Sequence, residues 1–405
     1  MNYIWGIFGI LVIFAIAFLF SANRTRINLR TILGGLAIQI TFAFIVLKWE
    51  FGRTIFLGIT QWVSKIMDFA REGSQFLFGG LFNEYNDFIF AFEVLTIIIF
   101  FSSLISVLYY LGVMQWFIKI IGGALAKVLG TSRPESLCAA ANIFVGQTEA
   151  PLVVRPYIEK MTQSELFAVM TGGLASVAGS VLFGYAALGI PLEYLLAASF
   201  MAAPAGLIMA KMIMPEVNKQ QLSDEKVDLE KDKESANVID AAARGASVGL
   251  KLALNVGAML LAFIALIALI NGILGAVGGW LGFPELTLDL IFGYVFAPIA
   301  FAIGVPWSEA VSAGSFLGQK IVLNEFVAYV SFSEVMAELT PKTVAILSFA
   351  LCGFANLSSL GILLGGIGGL APSRRPDIAR LGLRAILAGT LASLLSGAIA
   401  GMLIG

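Results

Sequence analysis

Apolar runs of about twenty residues recur along the chain, separated by short polar stretches, which is the pattern of repeated membrane-spanning helices. The first run, residues 4–20, has no basic residue before it and no small-x-small cleavage site after it, and Arg24, Arg26 and Arg30 follow directly. It therefore reads as a retained helix 1 and not a cleaved leader. Helix 2 is expected over 31–48 and helix 3 over 88–117. Between them, residues 55–78 put Ile59, Trp62, Val63, Ile66, Met67 and Ala70 on one helical face and Gln61, Lys65, Asp68 and Glu72 on the other. That predicts an amphipathic helix lying in the membrane interface.

Residues 133–163 and 306–340 break the spanning pattern. Asn142, Gln147, Thr148 and Glu149 stand in the middle of the first, and Lys320, Asn324 and Glu325 in the middle of the second. Neither has an unbroken apolar run of spanning length, so each is predicted to be a re-entrant helical hairpin. After each comes an apolar helix interrupted by small and polar residues: helix 4 over 165–188, with TGGLASVAGS at 171–180, and helix 7 over 341–370, with CGFANLSSLG at 352–361. Plainer helices follow, helix 5 over 190–211 and helix 8 over 381–404. Hairpin, broken helix and plain helix thus occur twice, with 27 residues from Glu149 to Ser176 and 31 from Glu325 to Asn356. Residues 211–244 carry eight acidic and six basic residues and read as a solvated linker with no assignable chemistry. Helix 6 is expected over 246–275, then a Gly/Pro-marked connection and a short segment near 284–303.

The basic residues orient these elements. Arg24/Arg26/Arg30, Lys119/Lys127/Arg133, the linker and Arg374/Arg375 fall on one side if both hairpins return to the face they entered from. The positive-inside rule makes that side cytoplasmic and places both termini outside. Hairpin one then enters from the cytoplasm and hairpin two from outside, an inverted-topology repeat. The expected fold is an all-α polytopic membrane protein with eight transmembrane helices, two re-entrant helical hairpins in inverted repeats and one interfacial amphipathic helix. Residues 1–117 form an N-terminal scaffold, 118–211 the first repeat, 212–244 a cytoplasmic charged linker and 245–405 the second repeat.

Composition narrows the chemistry. Of the 405 residues, 59% are hydrophobic and 13% charged, about half the charge of a soluble chain. A soluble enzyme and a nucleic-acid binder are set aside. The chain has no histidine, which removes haem and His-ligated metal sites, and its two cysteines, Cys138 and Cys352, do not support a disulfide framework. Oxygen ligands, amides and a few buried acids remain.

The strongest local signal is Asn-Ile-Phe-Val-Gly-Gln-Thr-Glu-Ala-Pro at 142–151. A carboxylate at membrane depth costs about 2.5–3.5 kcal/mol, so Glu149 is not explained by packing. Gly146 and Pro151 flank it where helical hydrogen bonding should lapse, and Gln147 and Thr148 add an amide and a hydroxyl. The set suits a planar ligand with mixed donors and acceptors, such as a nucleobase; the plainer alternative is an acid satisfied by backbone at the hairpin turn. Glu325 is the counterpart in the second hairpin and suits vicinal hydroxyls, unless Lys320 neutralises it. Asn356, Ser358 and Ser359, after Phe354, offer amide, hydroxyls and an aromatic ring to a sugar, while many of the nearby glycines serve close helix packing. Freed carbonyls in the first hairpin and at Ser176–Val177, with the Asn142 side-chain oxygen, would make an all-oxygen site for a small hard cation.

The stretches AANIFVGQTEAPL (140–152), GGLASVAGSVL (172–182), PWSE (306–309), AGSFLGQK…LNEFVAY (313–329) and CGFANLSSLG (352–361) together resemble the concentrative nucleoside transporters. They lie in the family's order over roughly the last three quarters of the chain. The resemblance implies a multi-pass protein of the cytoplasmic membrane, not an enzyme, and a homotrimer of protomers whose transport domain moves like an elevator against a scaffold. It implies a uridine-like nucleoside substrate, purine nucleosides being left open, with Gln147, Thr148 and Glu149 addressing the base beside Val181. Glu325, Asn356 and Ser359 would address the ribose, with Phe354 near the ligand. Asn142, Val145, Ser176 and Val177 match the positions that coordinate sodium, partly through backbone oxygens. Gly-Gln-Thr-Glu-Ala-Pro looks like the sodium-coupled branch, where proton-coupled bacterial members tend to carry Gly-Gln-Ser-Glu without Ala-Pro. The rival readings are a proton-coupled nucleoside symporter, a carrier of another polar solute, a passive channel, and an intramembrane hydrolase using Glu149 and Glu325.

Overall fold

The computed structural model describes residues 2–79, 89–218 and 235–404, which are almost wholly helical. The N-terminal part holds α1 (Asn2–Leu19), α2 (Leu29–Ala43), which continues through a π-helical turn to Lys48, and α3 (Glu50–Phe78). Next come α4 (Phe90–Glu93), α5 (Leu95–Tyr110) and α6 (Val113–Leu129). The predicted helix 3 over 88–117 is therefore α4, α5 and the start of α6, and its residue 88 lies outside the described residues. Gly112 adopts φ +82°, a left-handed conformation that ends α5 and turns the chain into α6. Apolar residues on both sides of the turn conceal it from a hydropathy reading.

The first unusual segment is built by capping. Ser132 and Glu135 form a capping box that starts α7 (Arg133–Ala141), and Pro151 and Pro156 confine the return arm to a 3-10 stretch, Ala150–Val154, and the short α8 (Arg155–Ile158). Thr162 and Glu165 repeat the capping box at the start of α9 (Gln163–Ala175). Ser176 is extended, α10 (Gly179–Ala187) begins three residues on, and α11 (Leu192–Ile213) follows. The expected helix 4 is thus broken at Ser176–Ala178.

The predicted linker is shorter than expected. Residues 219–234 lie outside the described residues, but α12 runs from Val238 to Trp280, capped by the Asn237 side chain, so the last residues of the linker are helical. Lys211, at its other edge, is buried and pairs with Glu135 at 2.6 Å. The second unusual segment follows α13 (Leu288–Ala302): α14 (Trp307–Val322), a turn at Leu323–Asn324, and α15 (Glu325–Val335), whose N-terminus is capped by Asn324. Then come α16 (Pro341–Ala350), a break over 351–358, α17 (Ser359–Leu370) and α18 (Arg375–Ile404). From α6 and from α13 onward the same order of elements is traversed twice.

Among the described residues, six helices are long and apolar enough to cross a membrane, or seven if α13 and α14, bent by 116°, count as one. The expected eight spans differ from this at α1, which is short, and at the predicted helix 7, which is two short pieces. The core lies around α9, α11 and α18, and α2 joins it: Gln39 donates from Nε2 to the Met201 carbonyl at 3.1 Å and to Ser396 Oγ at 3.2 Å. The long α12 stands outside this core, with 6% of its most apolar stretch buried, and pairs with α5. There Ser103 and Ser106 donate to the carbonyls of Ala242 and Ala241 at 2.9 and 2.8 Å, and Gly245 and Gly249 let the backbones approach.

The amphipathic helix is present as α3. Gly52, Phe56, Thr60, Met67, Ala70 and Ser74 face the protein, whereas Ile59 and Trp62 are exposed. Ser74 donates to Thr96 Oγ1 at 2.8 Å, so small and polar residues share the protein contact with Phe56 and Met67.

Candidate functional site

The two broken helices cross. The backbone amide of Phe354 donates to the Ser176 carbonyl at 3.1 Å, and a Cβ at Gly353 would lie 3.0 Å from the Ala175 oxygen. Glycine at 353 is what lets the breaks touch. Both hairpin tips reach this crossing. The Gly179 amide donates to the Phe144 carbonyl at 3.1 Å, and the Leu357 amide to the Ile321 carbonyl at 3.2 Å, so each tip is fastened to the break of its own repeat.

On the first side, Asn142 is the C-cap of α7 and donates from Nδ2 to the Cys138 carbonyl at 3.0 Å. Its Oδ1 is buried without a partner. Gln147, buried against Gly173, likewise has an unpartnered Oε1. A buried polar oxygen without a donor is costly, and such atoms mark places where a ligand or ion completes the structure. Ser176 donates from Oγ to the Gly172 carbonyl at 3.0 Å, which leaves its lone pairs free. Among the described residues no backbone amide donates to the carbonyls of Val145 or Val177. These oxygens fit a small hard cation, which needs oxygen donors and no imidazole or thiolate. Thr148 is half-buried, with Gly366 of α17 close against its methyl group, and Glu149 is exposed beside it.

On the second side, Glu325 is the first residue of α15 and is 5% exposed. Tyr185 donates its hydroxyl to Oε1 at 3.0 Å and Asn356 donates from Nδ2 to Oε2 at 3.1 Å. Asn356 in turn accepts at Oδ1 from Ser358 Oγ, the Ser359 amide and Ser359 Oγ, at 2.7, 2.9 and 3.0 Å. Phe354 is half-buried at the crossing and Val181 is buried one turn before Tyr185 on the same face of α10. Lys320 does not neutralise Glu325 through an ion pair: its ammonium donates to the Ala350 carbonyl at 2.7 Å. Cys138 and Cys352 are both buried free thiols.

Tyr185 is the site residue that the sequence reading lacks. Its position four residues after Val181 was the available signal, because side chains at that spacing share a helix face. A cavity of about 430 Å³ lined by Arg26, Asn28, Glu135 and Lys211 lies at the opposite end of α7 and takes no part in this arrangement.

Three family models tile the chain in order. "Na+ dependent nucleoside transporter N-terminus" matches residues 8–81, "Nucleoside recognition" matches 91–192, and "Na+ dependent nucleoside transporter C-terminus" matches 194–401. The chain belongs to the sodium-dependent concentrative nucleoside transporters. The uncharacterized transporter YutK of Bacillus subtilis (strain 168) is 60% identical over 404 residues, covering 100% of both chains. The nucleoside permease NupC of Helicobacter pylori is 51% identical, covering 99% of this chain and 98% of its own. The structure of CNTnw in an inward-facing substrate-bound state superposes with a TM-score of 0.94 at 53% identity, over 100% of this chain and 98% of that one. As a member of this family of concentrative transporters, the protein is a secondary active transporter and not an enzyme, and sodium is its coupling ion.

Proposed function

We propose that this protein imports nucleosides across the cytoplasmic membrane by sodium symport, with the ligand bound where the two broken helices cross. Gln147, Thr148 and Glu149 present amide, hydroxyl and carboxylate to the base beside Val181. Glu325, Asn356 and Ser359 take the ribose hydroxyls, and Phe354 packs on the ligand. Asn142, Val145, Ser176 and Val177 hold the sodium ion. The observation that carries this reading is the clasp on Glu325. An ionised carboxylate has about four lone-pair sites, and Tyr185 and Asn356 use two of them. The remaining pair is what vicinal hydroxyls need.

Inward movement of one sodium ion yields about 2.3 kcal/mol per 100 mV and about 1.4 kcal/mol per tenfold gradient, enough to concentrate a neutral solute. We assign eight spans and two re-entrant hairpins in inverted repeats, with both termini outside and a homotrimeric assembly. The moving body would comprise the hairpins, the broken helices, α11 and α18. The packing of α1 and α2 on α18 and α11 supports grouping them with this body, in place of the scaffold expected over 1–117, with the α5–α12 pair as the frame. The outward face of α12 is then available to partner copies and lipid.

Competition separates this reading from carriage of another polar solute. Unlabelled uridine or adenosine should displace labelled uridine uptake in proteoliposomes, and amino acids and dicarboxylates should not. Displacement by a dicarboxylate but not by nucleosides would overturn it. Recovery of intact nucleoside from the vesicle lumen sets aside the hydrolase alternative.

A further inference from the structure

Two helices end at the crossing with their carbonyl ends inward: α9 at Ala175 and α16 at Ala350. A helix C-terminus carries a partial negative charge, and two of them brought together inside a protein call for positive charge. The repeats answer this differently. In the first, the side chain offered at the end of the hairpin's leading arm is an oxygen, Asn142 Oδ1, buried and unpartnered beside Gly173 near the end of α9. In the second, the leading arm is α14, and its last turn offers an ammonium, Lys320 Nζ, 2.7 Å from the Ala350 carbonyl. Both residues come at the end of a leading arm, Asn142 as the C-cap of α7 and Lys320 in the last turn of α14, at different distances before the acid of the tip, seven residues before Glu149 and five before Glu325. Lys320 is 1% exposed, and no carboxylate among the described residues lies within ion-pair distance of it. A buried ammonium is costly without a countercharge; the acceptor it touches is the Ala350 carbonyl at the end of α16, and the Glu325 carboxylate, beyond ion-pair distance, adds a longer-range attraction.

We propose that Lys320 is a tethered cation that fills, in the second repeat, the position that sodium takes in the first, and so limits each protomer to one sodium ion. The inference rests on the sodium site proposed above. The tethered charge moves with the site in both loaded and empty directions, so it adds nothing to the charge carried per cycle. Removing it opens a second place where a free sodium ion meets a helix end.

The test compares wild type, Lys320→Gln and Lys320→Arg as purified full-length protein. Thermal unfolding is followed against sodium concentration, with potassium holding ionic strength constant. Each ion bound only by the folded state adds one unit of dependence on the logarithm of its concentration. Lys320→Gln should show about twice the wild-type dependence, and Lys320→Arg the wild-type value. In proteoliposomes, the charge carried per uridine should rise from one in wild type to two in an active Lys320→Gln. If Lys320→Gln is recovered folded only from molar sodium and not from molar potassium, the vacated site is again sodium-specific. An unchanged sodium dependence in folded Lys320→Gln, or failure to recover it in either salt, overturns the proposal. A wild type whose stability and uptake ignore sodium overturns the sodium site itself, which is a separate outcome.

Discussion

Tyr185 donates its hydroxyl to Glu325 across 140 residues of sequence, at 3.0 Å. Its ring stacks on Tyr329, with centroids 4.4 Å apart, and meets the edge of Phe326 at 5.0 Å. Tyr329 is fixed in turn by donation to the Ser348 carbonyl at 2.8 Å. The carboxylate that opens α15 is therefore oriented by a residue of the first repeat, and the two halves of the site are not independent.

Tyr185→Phe removes that donor and keeps the ring. A hydrogen bond to a charged group contributes about 1.5–3 kcal/mol, and about 1.4 kcal/mol is tenfold in affinity. The KM for uridine should rise by about tenfold or more, with the protein still folded. Uptake kinetics in proteoliposomes check this, and an unchanged KM would remove Tyr185 from the site.

Glu325→Gln keeps the volume and removes the charge. Uptake should fall by about a hundredfold or more if two hydrogen bonds from the ribose are lost. Stability without ligand should hold or increase, because burying a charge is unfavourable. Lower uptake together with equal or higher melting temperature is the expected pair. Loss of both would mean that Glu325 acts through the fold.

Asn142→Ala deletes the unpartnered oxygen at the end of α7. The sodium concentration for half-maximal uptake should rise severalfold, while the ranking of competing nucleosides stays the same. Sodium titrations of initial uptake rates decide this, and an unchanged titration would exclude Asn142 from the cation site.

Lys211→Met breaks the buried pair with Glu135, which joins the end of α11 to the start of α7 at 2.6 Å and is completed by a 2.9 Å bond from Lys211 to Ser164. Removing one partner of a buried pair costs about 3–5 kcal/mol, whereas an apolar replacement of both costs far less. Lys211→Met should therefore melt well below wild type, and Lys211→Met with Glu135→Leu should recover much of the loss. A double variant as unstable as the two single losses added together would show that the two residues act separately.

The two segments that interrupt the spanning pattern, the broken helices and the candidate ligands were legible because each is a local violation of an apolar pattern. Glu149, Glu325 and the CGFANLSSLG stretch need no partner to stand out. Residues whose role depends on a distant neighbour were not legible. Tyr185 lies in an ordinary apolar helix, and only the fold brings it to Glu325. Lys211 reads as the edge of a charged linker until Glu135 is seen beside it. Gly112 lies among apolar residues that continue the pattern on either side. On α3, Phe56, Thr60 and Ser74 are buried while Ile59 and Trp62 are exposed, and the apolar pattern alone did not show which residues meet the protein. In a membrane protein the large apolar face need not be the inner one, because small and polar residues pack helix against helix.

The central claim is that sodium and a nucleoside are moved together through the crossing of the two broken helices. Uptake of radiolabelled uridine into proteoliposomes tests it most directly, with an inward sodium gradient and with choline replacing sodium at the same pH. Concentrative uptake in sodium and none in choline is the predicted result. Uptake that ignores sodium and follows an imposed proton gradient would contradict it.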